Sequence, residues 1–326
     1  MPPLVSAIVT SYNHAEFLRQ RMDTLLAQTY SPIEIIVVDD HSTDDSADVL
    51  QEYAKCPNVK LVLLPENKGY PAACNLGVSL SQGEFVMFAE CDDYSGPDQI
   101  AVLIQALIKH PSVGASYSRS NIVDGGGRWL GDDFKGRDRA FRLLCRSDVL
   151  IPRETMRNFL LVSCVIPNMS AVLFKKACFQ QAGGISPAYK SCADWHFWLR
   201  MAETCDFFYS SESLNNFRTH PGTVRSTFSL ALQLSEMFDL LYEAYGRNPA
   251  SLVSSLLFRV NIGYIWAAHF FSRPSEWLMS FPRIWANNFK HERVGIVYLI
   301  GGFVVWIKIK LCRMLGGIRL LVNCSL

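Results

Sequence analysis

Short apolar runs alternate with amphipathic stretches over the first 110 residues of the chain. The apolar runs are rich in branched and aromatic side chains, which is typical of buried strands, whereas the amphipathic stretches repeat apolar residues at helical spacing. The predicted strands are Val5–Thr10, Ile33–Val38, Val59–Leu64 and Phe85–Phe88. The predicted helices are Ala15–Gln28, Asp44–Tyr53, Ala72–Leu80 and Asp98–Lys109. This alternation predicts an α/β fold with a mostly parallel, Rossmann-like sheet flanked by helices.

The alternation weakens after residue 112. The pattern still predicts strands at Ala115–Val123 and Met169–Phe174, and helices at Lys176–Ala182 and Asp194–Glu203. The charge-dense segment Asp132–Arg146 is interpreted as a flexible loop. From Phe228 onward the sequence predicts only helix. We therefore expect an α/β domain over residues 1–225 and a helical extension over residues 226–326.

Charge is distributed unevenly along the chain. From Ala244 to the end there are ten Lys or Arg and two Glu, whereas the preceding 243 residues carry 21 basic and 28 acidic side chains. A basic, Trp- and Phe-rich end predicts contact with an anionic membrane surface. Val294–Ile307 is a run of 14 uncharged residues, which is short of the roughly 20 that span a bilayer. An interfacial or re-entrant helix and a helical hairpin packed on the protein both fit this run.

The cysteines and the N-terminus indicate a compartment. The ten cysteines include no Cys-x-x-Cys pair and no Cys/His cluster at zinc spacing, so disulfides and a zinc site are not expected. Leu4–Thr10 is too short for the apolar core of a signal peptide. The expected location is the cytoplasm, peripherally on the inner face of the cell membrane.

Two acidic clusters directly follow predicted strands. Asp39-Asp40 ends the second strand, and Glu90-Cys91-Asp92-Asp93 follows the fourth. Ligands bind at the carboxyl ends of neighbouring strands in an open α/β sheet, so we expect the two clusters to converge there. Converging carboxylates repel one another unless a positive group joins them. A divalent cation that bridges a diphosphate meets this need.

Polar residues beside these clusters suit a nucleoside. The backbone amides of Thr10–Asn13 and the ring of Tyr12 can hold a planar base, although Ser-Tyr-Asn is also ordinary turn chemistry. Asp40 could accept a hydrogen bond from a base imide, and Asp39 could accept from ribose hydroxyls. Helix capping is the alternative for these two acids, and both interpretations stay open.

The order of these pieces carries more information than any one of them. Val5–Asn13 is followed by Gln28-Thr29-Tyr30, Glu34–Asp44, Asn67-Lys68-Gly69, Asn75-Leu76-Gly77, Gly83-Glu84-Phe85 and Glu90–Asp93. In this combination the sequence closely resembles the family 2 glycosyltransferases, which have the GT-A nucleotide-sugar fold. The resemblance covers about residues 4–225 and implies transfer of a sugar from a nucleotide-sugar donor.

The resemblance implies roles for individual residues. Glu90 and Asp92 fall on the two acids of the family's D-x-D motif, so Asp92 is expected to hold a metal and Glu90 to reach the ribose or a metal-bound water. Asp93 matches a further Asp that often follows, and it joins Glu90 among the expected donor-binding residues. Cys74 replaces the usual Arg of the family's Ala-Arg-Asn segment, which puts that phosphate contact in doubt. The positions that match the nucleoside-binding residues are Thr10, Tyr12, Asp39 and Asp40.

Two later segments complete the resemblance. Ala193-Asp194-Trp195 is similar to the catalytic acid-Asp-Trp segment, so Asp194 is the expected base, with Ala193 where Glu is frequent. An inverting transfer needs such a carboxylate to take the proton of the acceptor hydroxyl. A helix N-cap is the alternative role for Asp194. The segment Arg218–Gly222 resembles an Arg-x-His segment, which implies that His220 ligates the metal and Arg218 faces phosphate; a simple turn is the alternative for His220.

Together these features predict a metal-dependent, inverting glycosyltransferase with Mg²⁺ or Mn²⁺ as its cofactor. The expected donor is a nucleotide-diphosphate-sugar, in the first place a UDP-sugar, and the acceptor is a saccharide or a lipid-linked saccharide. Asp132–Arg146 is expected on the acceptor side, and no nucleic acid partner is expected. A catalytically degenerate, sugar-nucleotide-binding scaffold at the membrane is the alternative. A sugar-phosphate nucleotidyltransferase is disfavoured because Ser11–Glu16 contains no Gly, Lys or Arg.

Overall fold

The computed structural model describes residues 2–137, 139–221 and 228–247, together with the isolated positions 274, 275, 277–279 and 282. The chain divides into two compact units, Met1–Ser226 and Thr227–Leu326. The long helix of the second unit runs from Leu230 to Arg247. The apolar run at 294–307 and the basic residues after it lie outside the described residues. Within the described part, every helix is too short or too polar to cross a bilayer.

The first half of the larger unit follows the alternation expected from the sequence. Its elements are β1 (Val5–Ser11), α1 (Ala15–Leu26), β2 (Ile33–Asp39), α2 (Ser46–Tyr53), β3 (Val59–Leu63), α3 (Tyr70–Leu80), β4 (Phe85–Phe88), β5 (Tyr94–Ser95) and α4 (Gln99–Lys109). The eight elements predicted for this region are confirmed with ends that differ by no more than two residues.

The second half is more irregular. Its elements are β6 (Val113–Asp124), β7 (Trp129–Asp132), α5 (Arg139–Leu144), β8 (Val149–Ile151), α6 (Arg153–Leu160), β9 (Val172–Lys175), α7 (Lys176–Ala182), α8 (Ala193–Met201) and β10 (Asp206–Thr219). The long helix of the second unit, Leu230–Arg247, is α9. Helix α7 is confirmed at both ends, and Gly183 ends it with a left-handed φ of 86°.

Two predictions for this half need correction. Asp132–Arg146 is not simply a flexible loop, because it contains a 3₁₀ turn and α5, and Phe141 within it is buried. Arg137 also pairs with Asp133 at 2.7 Å inside this segment. The strand expected at Met169–Phe174 begins with a 3₁₀ turn at Met169–Ala171, and only β9 is extended.

One sheet joins the ten strands of the described residues in the order β3-β2-β1-β4-β9-β6-β10-β5, with β7 beside β6 and β8 beside β10. The parallel arrangement expected from the sequence holds for β3-β2-β1-β4. Strand β9 then runs antiparallel to both β4 and β6, while β6 and β10 are parallel. The carboxyl ends of β1, β2 and β4 therefore meet at one edge, which is called the carboxyl edge below.

Apolar side chains cover both faces of the parallel strands. On one face, Ala7 and Val9 of β1 pack with Leu18 and Met22 of α1, while Val5 packs in a cluster with α4. On the other face, Ile8 meets α3 at Gly77. A Cβ on Gly77 would lie 2.2 Å from Cγ2 of Ile8, so only glycine lets α3 approach β1 this closely.

This contact predicts the effect of Gly77→Ala. Ile8 is fully buried in the middle of the sheet, so its methyl group cannot turn into solvent to make room. We expect urea unfolding to show a loss of about 1–3 kcal/mol, as is typical of an overpacked core. Gly136→Ala is the matched control, because nothing lies within 4 Å of the added Cβ there. Equal stability of the two variants would contradict the close packing of α3 on β1.

Candidate active site

Glu90–Asp93, here called the acidic turn, lies at the carboxyl edge just after β4. The N–H of Asp93 donates to the carbonyl oxygen of Glu90 at 3.2 Å and closes the turn. The N–H of Glu90 donates to Ser170 Oγ at 3.0 Å and ties the turn to the chain before β9. These bonds hold three carboxyl groups in one small region.

Arg218 supports the acidic turn from the end of β10. Its side chain is buried, and Nε donates to the carbonyl oxygen of Asp92 at 2.7 Å. The backbone N–H of Arg218 donates to Asp93 Oδ1 at 2.9 Å. Nη1 donates to the carbonyl oxygen of Gly125 at 2.6 Å, and Nη2 donates to Gln20. Phe17 packs against the guanidinium, whose carbon lies 4.5 Å from the ring centroid. All three guanidinium nitrogens thus bond to protein oxygens.

Arg21 of α1 also supports the acidic turn, and no sequence motif indicated it. Its side chain is 0% exposed, and its Nε donates to the carbonyl oxygen of Glu90 at 2.9 Å. Among the described residues, neither Nη1 nor Nη2 of Arg21 has a hydrogen-bond partner, and the same holds for the buried Oδ2 of Asp93. The sequence contained one indication of its role, which is its place in the helical repeat. Arg21 lies on the buried face of α1 with Leu18 and Met22.

The carboxyl groups of the acidic turn lie close together, and the pKa values of two of them are raised. Burial, reinforced by Asp92, raises the pKa of Glu90 to about 8, although a hydrogen bond from Tyr70 opposes the shift. Burial and the charge of Asp92 likewise raise the pKa of Asp93 to about 7. Burial lowers the pKa of Arg21, and the surrounding carboxylates counteract this. The region therefore favours an additional positive charge.

The two acids after β2 hold the loops beside the acidic turn. Both oxygens of Asp39 accept hydrogen bonds from Ser42, from its N–H at 2.9 Å and from its hydroxyl at 2.6 Å. The oxygens of Asp40 accept from the N–H groups of Lys68 at 2.7 Å and Gly69 at 2.8 Å, directly before α3. Both acids are buried. Asp39 and Asp40 thus fix the loops at the carboxyl edge, and each carboxylate oxygen keeps a lone pair that a ligand can use.

The loop after β1 borders the same edge. Thr10 is buried at the end of the strand, whereas Tyr12 is 44% exposed and presents its ring to solvent. Asn13 has a left-handed φ of 55°, and its side-chain oxygen accepts from the N–H of Thr43 at 2.7 Å. This bond joins the loop after β1 to the loop after β2, so the four residues expected to bind a nucleoside border one rim.

Three side chains at this rim have ligand atoms within 4.8 Å of one another: His14, Asp92 and His220. Nε2 of His220 lies 3.2 Å from Asp92 Oδ2, and the rings of His14 and His220 meet edge to face at 5.3 Å. One carboxylate and two imidazoles form a chemically reasonable donor set for a divalent metal. The sequence indicated Asp92 and His220. It offered no motif for His14, which is brought here by the loop that follows β1.

Asp194 lies in the first turn of α8. The helix begins at Ala193 with Cys192 at the N-cap position, so Asp194 is inside the helix and is not its N-cap. Its Oδ1 accepts from the N–H of Trp195 at 2.7 Å. The indole of Trp195 donates to the carbonyl oxygen of Leu160 at 2.8 Å, which anchors the start of the helix.

Cys74 lies in the interior, on the side of α3 that faces the acidic turn. It is fully buried, and Tyr70 one turn earlier donates to Glu90 Oε1 at 2.7 Å. Asn75 bonds to both the N–H and the carbonyl oxygen of Ile185. Position 74 therefore presents no cation to a ligand, and this part of α3 supports Glu90 instead.

Comparisons with known proteins agree with this architecture. The chain is 30% identical over 180 residues to glycosyltransferase GlyA of Streptococcus pneumoniae, covering 54% of this chain and 25% of that protein. It is 23% identical over 246 residues to chondroitin synthase of Escherichia coli, covering 75% and 33%. The chain thus spans well under two thirds of the length of these relatives.

Solved structures show the same fold. Staphylococcus aureus TarS 1–349, in complex with UDP-GlcNAc, has a TM-score of 0.69 at 15% identity and covers 94% of this chain and 92% of its own. The mannosyltransferase PcManGT from Pyrobaculum calidifontis, in complex with GDP-Man and Mn²⁺, has a TM-score of 0.59 at 17% identity, with 95% and 88% covered. The mixed sheet and its flanking helices are therefore a GT-A fold.

The sequence profile named Glycosyl transferase family 2 matches residues 6–177, from β1 into α7. This stretch is more than half of the 326 residues and includes the carboxyl edge with its acidic turn. The protein accordingly belongs to glycosyltransferase family 2.

Proposed function

We propose that this protein transfers a sugar from a nucleoside-diphosphate-sugar, in the first place a UDP-sugar, to a hydroxyl group of a saccharide or lipid-linked acceptor. The observation that carries the proposal is the acidic turn beside His220 and His14, next to the loops that follow β1 and β2. Negative side chains alone would repel a diphosphate, whereas the same residues around a metal would bind it. The complexes of TarS with UDP-GlcNAc and of PcManGT with GDP-Man and Mn²⁺ support this class of donor.

Different residues of the carboxyl edge bind the nucleoside, the metal and the rest of the donor. Thr10, Tyr12, Asp39 and Asp40 hold the nucleoside, with the exposed ring of Tyr12 available to a base. Asp92 and His220 hold Mg²⁺ or Mn²⁺, while Glu90 and Asp93 bind the donor around it. When bound, the metal stabilises the negative charge that develops on the departing diphosphate.

Asp194 is the proposed base of an inverting transfer. Its carboxylate takes the proton of the acceptor hydroxyl while that oxygen attacks the anomeric carbon from the face opposite the diphosphate. The carbon–oxygen bond to the diphosphate breaks, and the nucleoside diphosphate leaves. The anchoring of Trp195 to Leu160 keeps Asp194 in place in the first turn of α8.

A catalytically degenerate, sugar-nucleotide-binding protein is the second candidate. Cys74 and Ala193 favour it, because both replace residues that are usual in the family. A panel of nucleotide-sugars incubated with the protein and Mn²⁺ separates the two candidates. Release of nucleoside diphosphate together with a glycosylated acceptor supports the enzyme, whereas donor binding without turnover supports the scaffold.

Asp92→Asn tests the metal. The change preserves shape but removes the charge that the metal needs, so we expect turnover to fall by at least about 10²-fold, or roughly 3 kcal/mol of transition-state stabilisation. Asp45→Asn, on the exposed start of α2, is the matched control and should retain activity. Rates are measured as released nucleoside diphosphate with and without EDTA. Full activity in EDTA or in Asp92→Asn would rule out the metal role.

Asp194→Asn tests the base. The amide oxygen can still accept the hydrogen bond from Trp195, so the helix start should survive while proton abstraction is lost. We expect transfer to fall by about 10²–10⁴-fold, with donor affinity measured by calorimetry unchanged. A parallel loss of donor affinity would instead make Asp194 a binding or structural residue.

We also propose that the protein works in the cytoplasm, peripherally on the inner face of the membrane, through its C-terminal segment. The support is the basic charge of the chain after Glu243 and the apolar run at 294–307. Basic residues near an anionic surface contribute about 1 kcal/mol each, and buried hydrocarbon adds a part that salt does not screen.

Anionic-lipid vesicles test the membrane proposal. We expect the full chain to sediment with the vesicles, with a salt-resistant fraction, and a chain that ends at Arg293 to bind much less. Neutral-lipid vesicles are the control for the electrostatic part. Equal binding of the two chains would show that residues 294–326 do not provide the attachment.

A further inference from the structure

The metal-ligand cluster includes one residue that no sequence motif explains. His14 lies at the N-cap position of α1, with φ −132° and ψ 37°, and its side chain makes no cap hydrogen bond. Its ring instead turns toward His220, with 5.3 Å between the ring centroids. The side chain of His14 thus contributes to the carboxyl edge, and in the first turn of α1 it approaches the ring of Phe17, with 6.1 Å between the centroids.

The distances suit a shared ion. The ligand atoms of His14, Asp92 and His220 all lie within 4.8 Å of one another. Ligands about 2.0–2.2 Å from one metal are separated by at most about 4.4 Å, so small side-chain rotations bring all three onto one ion. The side chain of Asp92 is 20% exposed and that of His220 is 8% exposed, so solvent reaches this pair mainly at Asp92. A diphosphate or water could approach an ion from that side.

The chemistry of the donor set distinguishes between metals. Mg²⁺ prefers oxygen ligands in a strict octahedral arrangement and gives up its water reluctantly. Imidazole nitrogens favour first-row transition metals, whose affinity for a given site rises from Mn²⁺ to Co²⁺. A site with one carboxylate and two imidazoles therefore prefers a first-row transition metal over Mg²⁺, whereas a carboxylate-rich site does not.

We propose that His14 is a third protein ligand of the metal, beside Asp92 and His220, and that it makes the site select Mn²⁺ or Co²⁺ over Mg²⁺. The inference rests on the metal-dependent transfer proposed above, and it adds both a ligand and a specificity. His14 also links metal binding to the nucleoside rim, because it directly follows Asn13 in the loop after β1.

Removing the His14 side chain should leave the rest of the site in place. His220 keeps its contact with Asp92 at 3.2 Å and packs on Phe17, with 4.9 Å between the ring centroids. The carbonyl oxygen of residue 14 still accepts the N–H of Phe17 in the first turn of α1. His14→Ala should therefore remove one metal ligand and leave the stability of the fold nearly unchanged.

Visible absorption of bound Co²⁺ tests the proposal without any turnover. The full-length protein, His14→Ala, His14→Asp and the control His110→Ala, at the far end of α4, are titrated with Co²⁺ in the presence and absence of UDP. Mg²⁺ is then added as competitor. We expect His14→Ala to weaken Co²⁺ binding by at least about 10-fold and to change the spectrum. His110→Ala should match the unmodified protein, and His14→Asp should bind Mg²⁺ better than the unmodified protein does.

Several results would overturn the proposal. These are an unchanged Co²⁺ affinity and spectrum in His14→Ala, equal affinity of the unmodified protein for Mg²⁺ and Co²⁺, or no Co²⁺ binding with or without UDP. Weaker UDP binding by His14→Ala with an unchanged Co²⁺ spectrum would assign His14 to the diphosphate and also refute the ligand role. If His14 governs the Co²⁺ spectrum but no sugar is transferred, the ligand role stands and only the proposed transferase activity fails.

Discussion

The arrangement of the carboxyl edge depends on the balance of charge around the acidic turn. Two buried arginines hold the main chain of the acidic turn: Arg21 donates to the carbonyl oxygen of Glu90, and Arg218 donates to that of Asp92. A buried charge costs several kcal/mol unless opposite charges compensate it, and here the carboxylates and the guanidinium groups compensate one another. The compensation is incomplete, since burial and Asp92 still raise the pKa of Glu90 to about 8. A divalent ion would supply the missing positive charge.

The mixed sheet is what brings these groups together. The parallel strands β1, β2 and β4 deliver the loops that contain Asn13, Asp40 and the acidic turn to one edge. Strand β10 lies parallel to β6 and antiparallel to the short β5, and it returns Arg218 and His220 to the same place. The first four parallel strands alone would hold the acids together with Arg21 and His14, but not Arg218 and His220, which come at the end of β10.

Much of this arrangement could be predicted from the sequence, and the exceptions have physical causes. Most strands and helices of residues 1–110 were predictable, because apolar runs indicate strands buried on both faces and helical periodicity indicates the helices that cover them. The buried Arg21 was not, because a single arginine on a helix is ordinarily at the surface, and only tertiary contact reveals the carboxylates around it. Likewise, the segment Asp132–Arg146 is held by contacts such as that from Arg137 Nη1 to the carbonyl oxygen of Cys164 at 2.9 Å, which a local pattern cannot show. Strand β10 went unpredicted because polar residues interrupt it throughout Ser210–Asn216.

The bonds of Arg218 also set an order of assembly. This one side chain reaches Asp92 and Gln20, which lie 126 and 198 positions earlier in the chain. Synthesis begins at the N-terminus, so a ribosome-bound chain of 200 residues already contains the parallel strands and both acidic clusters. It does not yet contain the arginine that joins the acidic turn to α1. The hydrogen bonds that support the acidic turn are therefore completed only after β10 has emerged from the ribosome.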